Sequence, residues 1–397
     1  MIKACIIGLG YVGLPILKNL SKKYKTVGYD NSLQRVKNLR KGIDTFNEFN
    51  KSDLRKIKTS YTNFITKINS CNLFIVTVPT PVFSNKKPNL SHLKDVCIKV
   101  SKILKKKDII IFESTVYPGI TNDFCIKILE KKSKLVEGKD FFVGYSPERV
   151  NPGDKRHDLK NINKILAYPH KFMKNELINL YSFLGKKIIL TNNVKEAETA
   201  KVIENIQRDV NIGLINEFYL VCNKLNINFE NVINLASTKW NFLKFKPGLV
   251  GGHCLPVDPY YLSHISKKNK LQTKITLAGR SINDSMATVV EKKILEKIKK
   301  INLRNKKRIL ICGLSYKKDV ADLRNSLSLK IFQNLRKKNK NIKGYDPLIN
   351  KDIANKNKFI SSINEVSKFD IFFVLTNHTI LSNILKKLKN KKIFYPI

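Results

Sequence analysis

The sequence predicts an α/β protein with two Rossmann-like, doubly wound domains that are joined by a central helical region. Three observations support this fold class. Apolar strands alternate with helical segments at both ends of the 397-residue chain, a long helical pattern fills the middle, and the C-terminal part repeats the plan of the N-terminal part.

The N-terminal part begins with a strand (KACIIGLG), a helix (VGLPILKNLSKK) and a second strand (TVGYD). Three later apolar runs each end in prolines: CNLFIVTVPTP, DIIIFESTVYPG and FFVGYSPERVNPG. In parallel sheets, ligands bind outside the carboxyl ends of the strands. The pattern therefore predicts that Thr80, Thr115 and Glu148 lie at a ligand-binding rim.

The middle of the chain is predicted to contain two long helices, from about Lys195 to Asn223 and from about Thr273 to Lys300. The segment FKPGLVGGHCLPVDPYYL between them is rich in glycine and proline, so we expect a loop there.

A basic linker near 302–307 follows, and strand–helix alternation then returns. ILICGLSY corresponds to IIGLGYVG, IKGYDP to TVGYD, and FDIFFVLTNH to CNLFIVTVPT, so two α/β units of similar plan flank the helices. The predicted domains are a Rossmann-like domain over 1–192, a helical domain over 193–300 and a second Rossmann-like domain over 301–397.

The formal net charge of +44 is the footprint expected of a nucleic-acid-binding protein. The lysines are spread along the whole chain, however, together with an excess of asparagine and isoleucine that is typical of AT-rich coding sequences. We find no zinc finger, helix-turn-helix or aromatic RNA-binding strand. This distribution favours solvated surface lysines, with a polyanion-binding surface as the alternative.

Seven scattered cysteines form no C-x-x-C pair, which argues against a disulfide framework or a thiolate metal site. This use of cysteine favours a reducing cytoplasm. No apolar run approaches the roughly 18 residues of a membrane span. We therefore expect a cytoplasmic protein without a membrane segment or a metal.

A G-x-G-x-x-G motif, formed by Gly8, Gly10 and Gly13, follows the first strand and opens a helix. Such glycines let the backbone approach a pyrophosphate at the helix N-terminus. Asp30 ends the second strand, where a carboxylate accepts a hydrogen bond from a ribose hydroxyl and repels a 2′-phosphate. The motif predicts NAD rather than NADP, and Arg35 is near enough to soften that preference. A glycine turn chosen only for packing is the alternative.

Lys201 and Asn205 lie four residues apart on one face of the first long helix, and Arg208 lies three residues further on. This row can present hydrogen-bond donors to an oxyanion or a phosphate. A solvated helix face is the alternative.

Cys254 lies in the segment GGHCLPVDP, four residues before Asp258. A rigid, irregular loop beside a proton-handling group suits a thiolate nucleophile. The alternative is a small buried hydrophobic residue. His253 is a candidate to activate the thiol, although a packing role is expected more often.

Seven sequence motifs, spread over almost the whole chain, occur in the same order in one protein family. They are GLGYVGLP, VPTP, STVYPG, SPERVNPG, AETAKVIENIQRDVN, GLVGGHCLPVDPYYL and GLSYKKDVADLRNS. The chain resembles the UDP-glucose/GDP-mannose dehydrogenase family. SPERVNPGDK, ENIQRDVNI and KWNFLKFKPGLVGGHC are similar to its Vi-antigen-type subgroup, which oxidises UDP-N-acetylglucosamine or UDP-N-acetylgalactosamine.

The resemblance implies six catalytic residues. Cys254 corresponds to the nucleophile, Lys201 to the catalytic lysine, and Asn205 to the asparagine beside it. Asp258 corresponds to the aspartate that works with that lysine, Glu148 to the glutamate that handles the hydrolytic water, and Thr115 to the threonine near the nicotinamide. It also implies contacts to the UDP-sugar from Arg149, Val150, Lys201, Asn205, Arg208, Gly251, Tyr316 and Lys317. The expected NAD contacts are Gly8, Gly10, Tyr11, Val12, Gly13, Asp30, Arg35, Thr80, Thr115 and Arg324. Thr238 and Trp240 fall where sugar or partner-subunit contacts occur.

The expected activity is the NAD-dependent, four-electron oxidation of the C6 hydroxyl of a UDP-N-acetylhexosamine, through a thiohemiacetal and a thioester at Cys254. The uronate product would serve surface polysaccharide synthesis. Family members pair through the helix around 201–225, so we expect a homodimer or a larger homo-oligomer. The alternatives are a UDP-glucose or UDP-N-acetylmannosamine 6-dehydrogenase, a two-electron β-hydroxyacid dehydrogenase that needs neither Cys254 nor a third domain, and a basic nucleic-acid-binding protein.

Overall fold

A computed structural model describes residues 2–46, 48–150, 159–301, 307–388 and 391–397. The chain divides into two compact units. The first unit contains Met1–Glu204 and Tyr260–Leu271, and the second contains Asn205–Pro259 and Gln272–Ile397.

The first unit contains an eight-stranded sheet with strand order β3-β2-β1-β4-β5-β6-β7-β8. Its strands are β1 Lys3–Ile7, β2 Lys25–Tyr29, β3 Ser60–Thr62, β4 Leu73–Val76, β5 Ile109–Phe112, β6 Phe142–Tyr145, β7 Asn163–Ala167 and β8 Lys187–Thr191. All neighbours are parallel except β6 and β7, which pair antiparallel at Tyr145 and Ala167. The chain order with crossovers on both sides of β1 is that of a doubly wound sheet.

Helices cover this sheet, and its central strands are buried on both faces. The helices are α1 Gly13–Leu20, α2 Leu33–Arg40, α3 Lys51–Arg55, α4 Ser91–Ser101, α5 Lys127–Ser133 and α6 Lys174–Tyr181. The sequences LFIV in β4 and IIIF in β5 are continuous apolar runs in which every residue is buried. Burial on both faces explains why these strands read as unbroken apolar segments rather than as alternating ones.

The predicted long helices are present as α7 Val194–Lys224 and α10 Lys274–Lys300, with α8 Phe229–Ala236 and α9 Asp258–Lys268 between them. The prediction of a loop over the whole of FKPGLVGGHCLPVDPYYL is wrong in its last part, because α9 begins at Asp258. Pro259 lies in the first turn of α9, where a missing N–H costs nothing because that turn has no intrahelical acceptor. Proline therefore marks a helix start here and not a continued loop.

The second unit contains a five-stranded, fully parallel sheet with strand order β11-β10-β9-β12-β13. Its strands are β9 Ile309–Cys312, β10 Lys343–Tyr345, β11 Phe359–Ile360, β12 Ile371–Val374 and β13 Lys392–Phe394. Its further helices are α11 Leu327–Lys338, α12 Lys351–Lys356, α13 Ile363–Val366 and α14 Thr379–Lys386. Separate apolar clusters lie on the two faces of this sheet.

The α/β class, the two Rossmann-like sheets and the helical region between them confirm the predicted fold class. The predicted repeat is confirmed as well, since β9, β10 and β12 occupy the places that β1, β2 and β4 hold in the first sheet. The boundaries of the three predicted domains stay a prediction. Within the described residues, no helix combines the length and the apolar character that crossing a membrane requires.

Candidate functional site

Thr80, Thr115 and Glu148 follow β4, β5 and β6, which are neighbours in the first sheet. The hydroxyl of Thr80 donates to the backbone oxygen of Thr115 at 2.5 Å. The backbone oxygen of Thr80 accepts from the hydroxyl of Tyr261. The structure therefore joins the first two of these loops directly at the carboxyl edge of the sheet.

The glycine motif forms a tight turn between β1 and α1. Gly8 has a φ of +97°, and a Cβ on Gly13 would lie 1.9 Å from the backbone oxygen of Gly8. Around Gly10, in contrast, no atom beyond its chain neighbours lies within 4 Å of the position that a Cβ would take. Protein packing requires glycine at 8 and 13, whereas Gly10 leaves open space of the kind that a closely approaching ligand needs.

The start of α1 offers backbone N–H groups to such a ligand. Val12 precedes the helix and provides no side-chain cap. Val12 packs against the apolar core, and the ring of Tyr11 lies 4.6 Å from that of Phe46. An uncapped helix N-terminus next to a glycine turn fits the pyrophosphate of a dinucleotide.

Asp30 lies directly after β2 and is partly exposed. One of its carboxylate oxygens accepts from the N–H of Leu9 at 2.9 Å, and the other accepts from the N–H of Ser32 at 2.8 Å. These bonds fix the carboxylate beside the glycine turn, where the sequence placed the ribose contact.

Arg35 is only 7% exposed and is held by the protein itself. Its Nη1 lies 2.7 Å from a carboxylate oxygen of Asp44, and its Nε donates to the backbone oxygen of Leu9 at 2.9 Å. Its Nη2 is buried without a partner among the described residues. Arg35 therefore stabilises the glycine turn through Leu9, and its Nη2 is a donor without a described partner.

Glu148 is almost fully buried and accepts three hydrogen bonds. Its Oε1 accepts from the N–H groups of Arg149 at 2.8 Å and Val150 at 2.5 Å, and its Oε2 lies 3.1 Å from the Nζ of Lys164. Burial alone would raise the pKa of Glu148. The charges of Lys164 and Lys201 and the N–H of Val150 outweigh burial, so the pKa lies below its usual value.

Arg149 turns its guanidinium to α7, where it pairs with Glu204. Nη2 lies 2.8 Å from one carboxylate oxygen and Nε lies 3.3 Å from the other. Nη1 donates to the backbone oxygen of Asn163. Its side chain stays about one-third exposed, so it remains accessible to a ligand.

Lys164 and Glu113 form a buried pair that the sequence analysis missed. The Nζ of Lys164 lies 2.5 Å from a carboxylate oxygen of Glu113, and neither side chain is exposed. The other oxygen of Glu113 accepts from the hydroxyl of Tyr181 at 2.8 Å. A lysine inside the buried strand sequence NKILA was the available signal, because lysine is almost never fully buried without a partner.

Glu198 is a second residue that the sequence analysis missed. It is fully buried on α7, one turn before Lys201. Its carboxylate accepts from the N–H of Gly119 at 2.6 Å and from the N–H and hydroxyl of Thr121 at 2.9 and 2.7 Å. Glu198 thereby fastens the helix that carries Lys201 to the loop that follows Thr115.

In the second unit, Cys254 is exposed, whereas the other six cysteines are buried. Its backbone oxygen accepts from the N–H groups of Val257 and Asp258 at 2.9 and 3.0 Å. The buried carboxylate of Asp258 accepts from the amide of Asn205 at 2.6 Å. The structure therefore brings Cys254, Asp258 and Asn205 together, as the sequence predicted.

Glycine is required next to Cys254 because another loop packs closely on this segment. A Cβ on Gly251 would lie 2.7 Å from the backbone oxygen of Asn325, and one on Gly252, whose φ is +93°, would lie 2.6 Å from the ring of Tyr316. Asn325 also donates to the backbone oxygen of Gly252 at 3.1 Å. Two predicted substrate residues, Gly251 and Tyr316, thus lie side by side.

His253 pairs with Asp322. Its Nε2 lies 3.3 Å from a carboxylate oxygen of Asp322, which also receives Arg324 at 2.7 Å. Burial opposes ionisation of Asp322, but these two side chains hold its pKa well below the usual range. This pairing fits the packing role for His253 that the sequence favoured.

The remaining predicted residues lie on α7, next to Tyr316 and after α8. Arg208 is exposed on α7, Lys317 is partly buried next to Tyr316, and Thr238 and Trp240 are exposed after α8. The structure does not bring these last two together with Cys254 through any described contact.

A buried polar network, also missed from sequence, holds the loop of Cys254 at two points. Arg280 contacts a carboxylate oxygen of Asp209 at 2.5 Å and the backbone oxygen of Leu255 at 3.4 Å. Asn216 accepts from the N–H of Gly248 at 2.9 Å and donates to its oxygen at 3.1 Å. Burial raises the pKa of Asp209 to about 6 despite the charge of Arg280.

Among the described residues, no group of three or more His, Cys, Asp or Glu side chains is arranged to hold a metal ion.

Models of three domains of the UDP-glucose/GDP-mannose dehydrogenase family match the chain in order. The NAD binding domain matches residues 2–184, the central domain matches 195–285, and the UDP binding domain matches 310–397. The resemblance seen in the sequence motifs is thus confirmed.

Individual relatives match most of the chain. The UDP-N-acetyl-D-glucosamine 6-dehydrogenase of Pseudomonas aeruginosa is 42% identical over 360 residues, which cover 89% of this chain and 84% of that protein. The enzyme of the same name from Salmonella typhi is 39% identical over 383 residues, which cover 95% and 90%. The structure of the UDP-D-ManNAc dehydrogenase from Pyrococcus horikoshii matches with a TM-score of 0.85 and 31% identity over 99% of this chain and 94% of that one.

Proposed function

The chain belongs to the UDP-glucose/GDP-mannose dehydrogenase family, and we propose that it oxidises the C6 hydroxyl of a UDP-N-acetylhexosamine to a carboxylate with NAD. Two relatives near 40% identity carry the name UDP-N-acetyl-D-glucosamine 6-dehydrogenase. They support an N-acetylated sugar of gluco configuration as the substrate, and the resemblance to the Vi-antigen-type subgroup adds the galacto epimer.

The observation that carries the proposal is the exposed thiol of Cys254 in a braced glycine loop, next to Asp258 and Asn205. Oxidation of an alcohol to a carboxylate removes four electrons, and NAD accepts one hydride in each of the two oxidations. The aldehyde made first has no tetrahedral carbon that bears a hydride. Attack by the thiolate of Cys254 creates one, as a thiohemiacetal, and its oxidation leaves a thioester that water cleaves.

The other proposed catalytic residues handle protons and developing charge. The ammonium of Lys201 stabilises each oxyanion, together with the amide of Asn205. Asp258 works with Lys201 to relay the proton of the hydroxyl through water, and Glu148 orients the water that cleaves the thioester. Thr115 lies at the rim where the nicotinamide is expected.

The residues of the first unit fit NAD. The turn around Gly10 is open, the first amides of α1 have no side-chain cap, and Asp30 is fixed beside them. The proposed contacts are Gly8, Gly10, Tyr11, Val12, Gly13, Asp30, Arg35, Thr80 and Thr115 from this unit, and Arg324 from the second. For UDP-sugar we propose Arg149, Val150, Lys201, Asn205, Arg208, Gly251, Tyr316 and Lys317.

Replacing Cys254 tests the mechanism. Cys254→Ser should block turnover at or after the second oxidation, because a serine hydroxyl is almost never ionised near neutral pH. Single-turnover absorbance at 340 nm and intact-protein mass spectrometry should show slow NADH formation and either a trapped ester or a bound aldehyde. Cys254→Ala is the matched variant and should form no covalent adduct.

The wild type should release two NADH per uronate. If Cys254→Ser turns over at the wild-type rate with that same stoichiometry, Cys254 is a packing residue and the mechanism fails.

Steady-state rates on a panel of UDP-sugars identify the substrate. We expect the highest kcat/KM with UDP-N-acetylglucosamine or UDP-N-acetylgalactosamine. The likeness to a UDP-D-ManNAc dehydrogenase structure makes the manno epimer the alternative, followed by UDP-glucose. A preference for either of these would overturn the substrate assignment and leave the reaction type intact.

We further propose a homodimer or larger homo-oligomer, formed in the cytoplasm, whose product serves polysaccharide synthesis. Leu214, Phe218, Val221 and Leu225 are each about half exposed and follow the 4-3-4 spacing of a helix-pairing stripe. Trp240 is 92% exposed. Light scattering at micromolar concentration should exceed the monomer mass of 45.6 kDa, and Phe218→Glu should lower it. A wild-type mass near 46 kDa would refute the assembly.

A further inference from the structure

Lys164 is a fully buried lysine that the proposed chemistry does not yet use. It is the second residue of β7, and its Nζ is 2.5 Å from Oε2 of Glu113 and 3.1 Å from Oε2 of Glu148. Burying an ammonium group costs several kcal/mol unless charged partners offset it. A role in packing alone would be met at lower cost by an apolar residue, such as the buried Leu166 of the same strand.

We propose that Lys164 is a positioning residue for Glu148, which keeps that carboxylate ionised and oriented so that it accepts one water molecule. The inference rests on the proposed function, in which Glu148 orients the water that cleaves the thioester. The inference adds Lys164 as the residue that holds the Oε2 side of the Glu148 carboxylate.

The hydrogen bonds of Glu148 indicate where a water molecule can bind to its carboxylate. A carboxylate offers about four acceptor positions. Described partners occupy three: the N–H groups of Arg149 and Val150 on Oε1, and the ammonium of Lys164 on Oε2. The side chain of Glu148 keeps 10% exposure. Among the described residues, one acceptor position on Oε2 is left for a water, next to the bond to Lys164.

The charges around Glu148 point the same way. The groups that face it are Lys164 from β7, Lys201 from α7, and beyond Lys164 the carboxylate of Glu113 and the hydroxyl of Tyr181. Burial raises the pKa of Glu113, whereas the lysines lower that of Glu148 despite its burial. Before the water reacts, Glu148 is therefore the carboxylate of this pair that is held in its ionised, accepting form.

The step that depends on this arrangement is hydrolysis. The water oxygen adds to the acyl carbon, the C–S bond breaks, and its electron pair returns to the sulfur of Cys254 as a thiolate. One proton of the water passes to Glu148 and from there to solvent. Neither hydride transfer needs the water that Glu148 orients, so loss of Lys164 should spare them.

The test is Lys164→Met in the full-length enzyme with UDP-sugar and NAD. We expect the first turnover to form two NADH per subunit, as in the wild type. Steady-state kcat should then fall about 100-fold, the size typical of a lost proton-transfer group. Intact-protein mass spectrometry should detect the sugar thioester on Cys254. Lys187→Met makes the same change at an exposed position of the neighbouring β8 and should behave as wild type.

The pH profile separates positioning from general disruption. Without Lys164 the pKa of Glu148 rises, so the acid limb of the kcat profile should move to higher pH by at least about one unit. Lys164→Arg keeps a cation between the carboxylates and should restore hydrolysis in large part. If Lys164→Met does not fold, Glu113→Gln/Lys164→Met removes the excess negative charge and should still accumulate the thioester.

Two results would overturn the inference: wild-type kcat in the Lys164→Met or double variant, or equal slowing of hydride transfer and hydrolysis with an unmoved pH profile. Failure of the proposed function looks different. In that case the wild type itself would not form two NADH per product, or Glu148→Gln would accumulate no thioester.

Discussion

The two Rossmann-like units follow the same plan but treat the end of their first strand in opposite ways. In the first unit, α1 begins at Gly13, directly after a glycine turn, and has no side-chain cap. In the second unit, the chain runs from Gly313 to Ser326 before α11 begins, and the hydroxyl of Ser326 caps that helix. The helix start of the first unit therefore has no side-chain cap, whereas that of the second unit has one.

The acidic residue after the second strand differs in the same sense. Asp30 is partly exposed and accepts from one amide of the glycine turn, that of Leu9. Asp346 is 4% exposed. Its Oδ2 accepts from the N–H groups of Leu314 and Ser315. The same oxygen lies 3.2 Å from Nε2 of His378. A buried carboxylate saturated by protein donors cannot bind a ribose.

The comparison shows that the same fold leaves different groups available at the end of its first strand. In the second unit, the corresponding helix start and carboxylate are bonded to the protein's own groups. The lengthened segment 313–326 instead carries Tyr316, Lys317 and Arg324, the residues predicted to contact ligands. The position of a ligand on a Rossmann-like sheet thus depends on which backbone groups its own side chains leave unsatisfied.

The largest expected effect, on both stability and ligand binding, comes from replacing Gly13 in the first unit or Gly313 in the second. Each of these glycines packs tightly against backbone of its own unit. A Cβ on Gly13 would lie 1.9 Å from the oxygen of Gly8, and one on Gly313 would lie 1.9 Å from the oxygen of Thr376. Gly13→Ala should abolish NAD binding and spare UDP binding, and Gly313→Ala should do the reverse. Each should cost about 3 kcal/mol or more of unfolding free energy.

Calorimetric titration with each ligand and denaturant unfolding check this pair. Gly10→Ala is the control, since its Cβ meets open space. It should leave the free energy of unfolding unchanged within about 0.5 kcal/mol and still weaken NAD at least about tenfold. Loss of both ligands in either variant would show that the units do not bind independently.

An effect of intermediate size should distinguish Asp346, which stabilises the fold, from Asp30, which we expect to contact the cofactor. Asp346→Ala leaves the amides of Leu314 and Ser315 buried without an acceptor, so it should lower the free energy of unfolding by about 2–4 kcal/mol. Asp30→Ala should change stability little. It should instead narrow a preference for NAD over NADP that we expect to be at least about tenfold in the wild type.

Denaturant unfolding and kcat/KM with both cofactors measure this. If wild-type NADP is as good as NAD, the interpretation of Asp30 is wrong. If Asp346→Ala is as stable as the wild type, the carboxylate is not the acceptor that the second unit depends on.

The smallest effect concerns acid pH and the lengthened segment of the second unit. Burial opposes ionisation of Asp322, but His253 and Arg324 hold its pKa below that of the unfolded chain. Its contribution, about 2 kcal/mol, is therefore present above pH 4 and lost as the pH falls further. Melting curves of wild type and Asp322→Asn should differ by a constant amount from pH 5 to 7 and converge below about pH 4. Divergence on acidification would contradict this sign.

Much of the fold was predictable because its signals are local. The glycine motif, the apolar runs that end in prolines and the helical spacing after 194 each depend on a few neighbouring residues. The error at Asp258 shows the limit of composition. Proline and glycine mark loops on average, but Asp258-Pro259 is also a good helix start, and only the chain after it decides between the two.

The candidate site divides along the same line. The sequence predicted the chemical identity of the site residues, and the structure connects Asp258 to Asn205 and Thr80 to Thr115. The polar groups that hold them were not predicted. Glu198 contacts residues 77 and 79 positions earlier in the chain, and Arg280 contacts Asp209 across 71 positions. Pairings at such separations leave no periodic signal in a single sequence.

The sequence by itself determined the order of strands and helices, the two-unit plan and the chemical identity of the reactive groups, because these follow from local pattern and residue type. Only the tertiary structure decided which groups are buried and which donors are already taken. That is why Asp30 and Asp346, alike in the motif GYD, differ so much: a hydrogen bond from a distant residue such as His378 satisfies one carboxylate and leaves the other accessible.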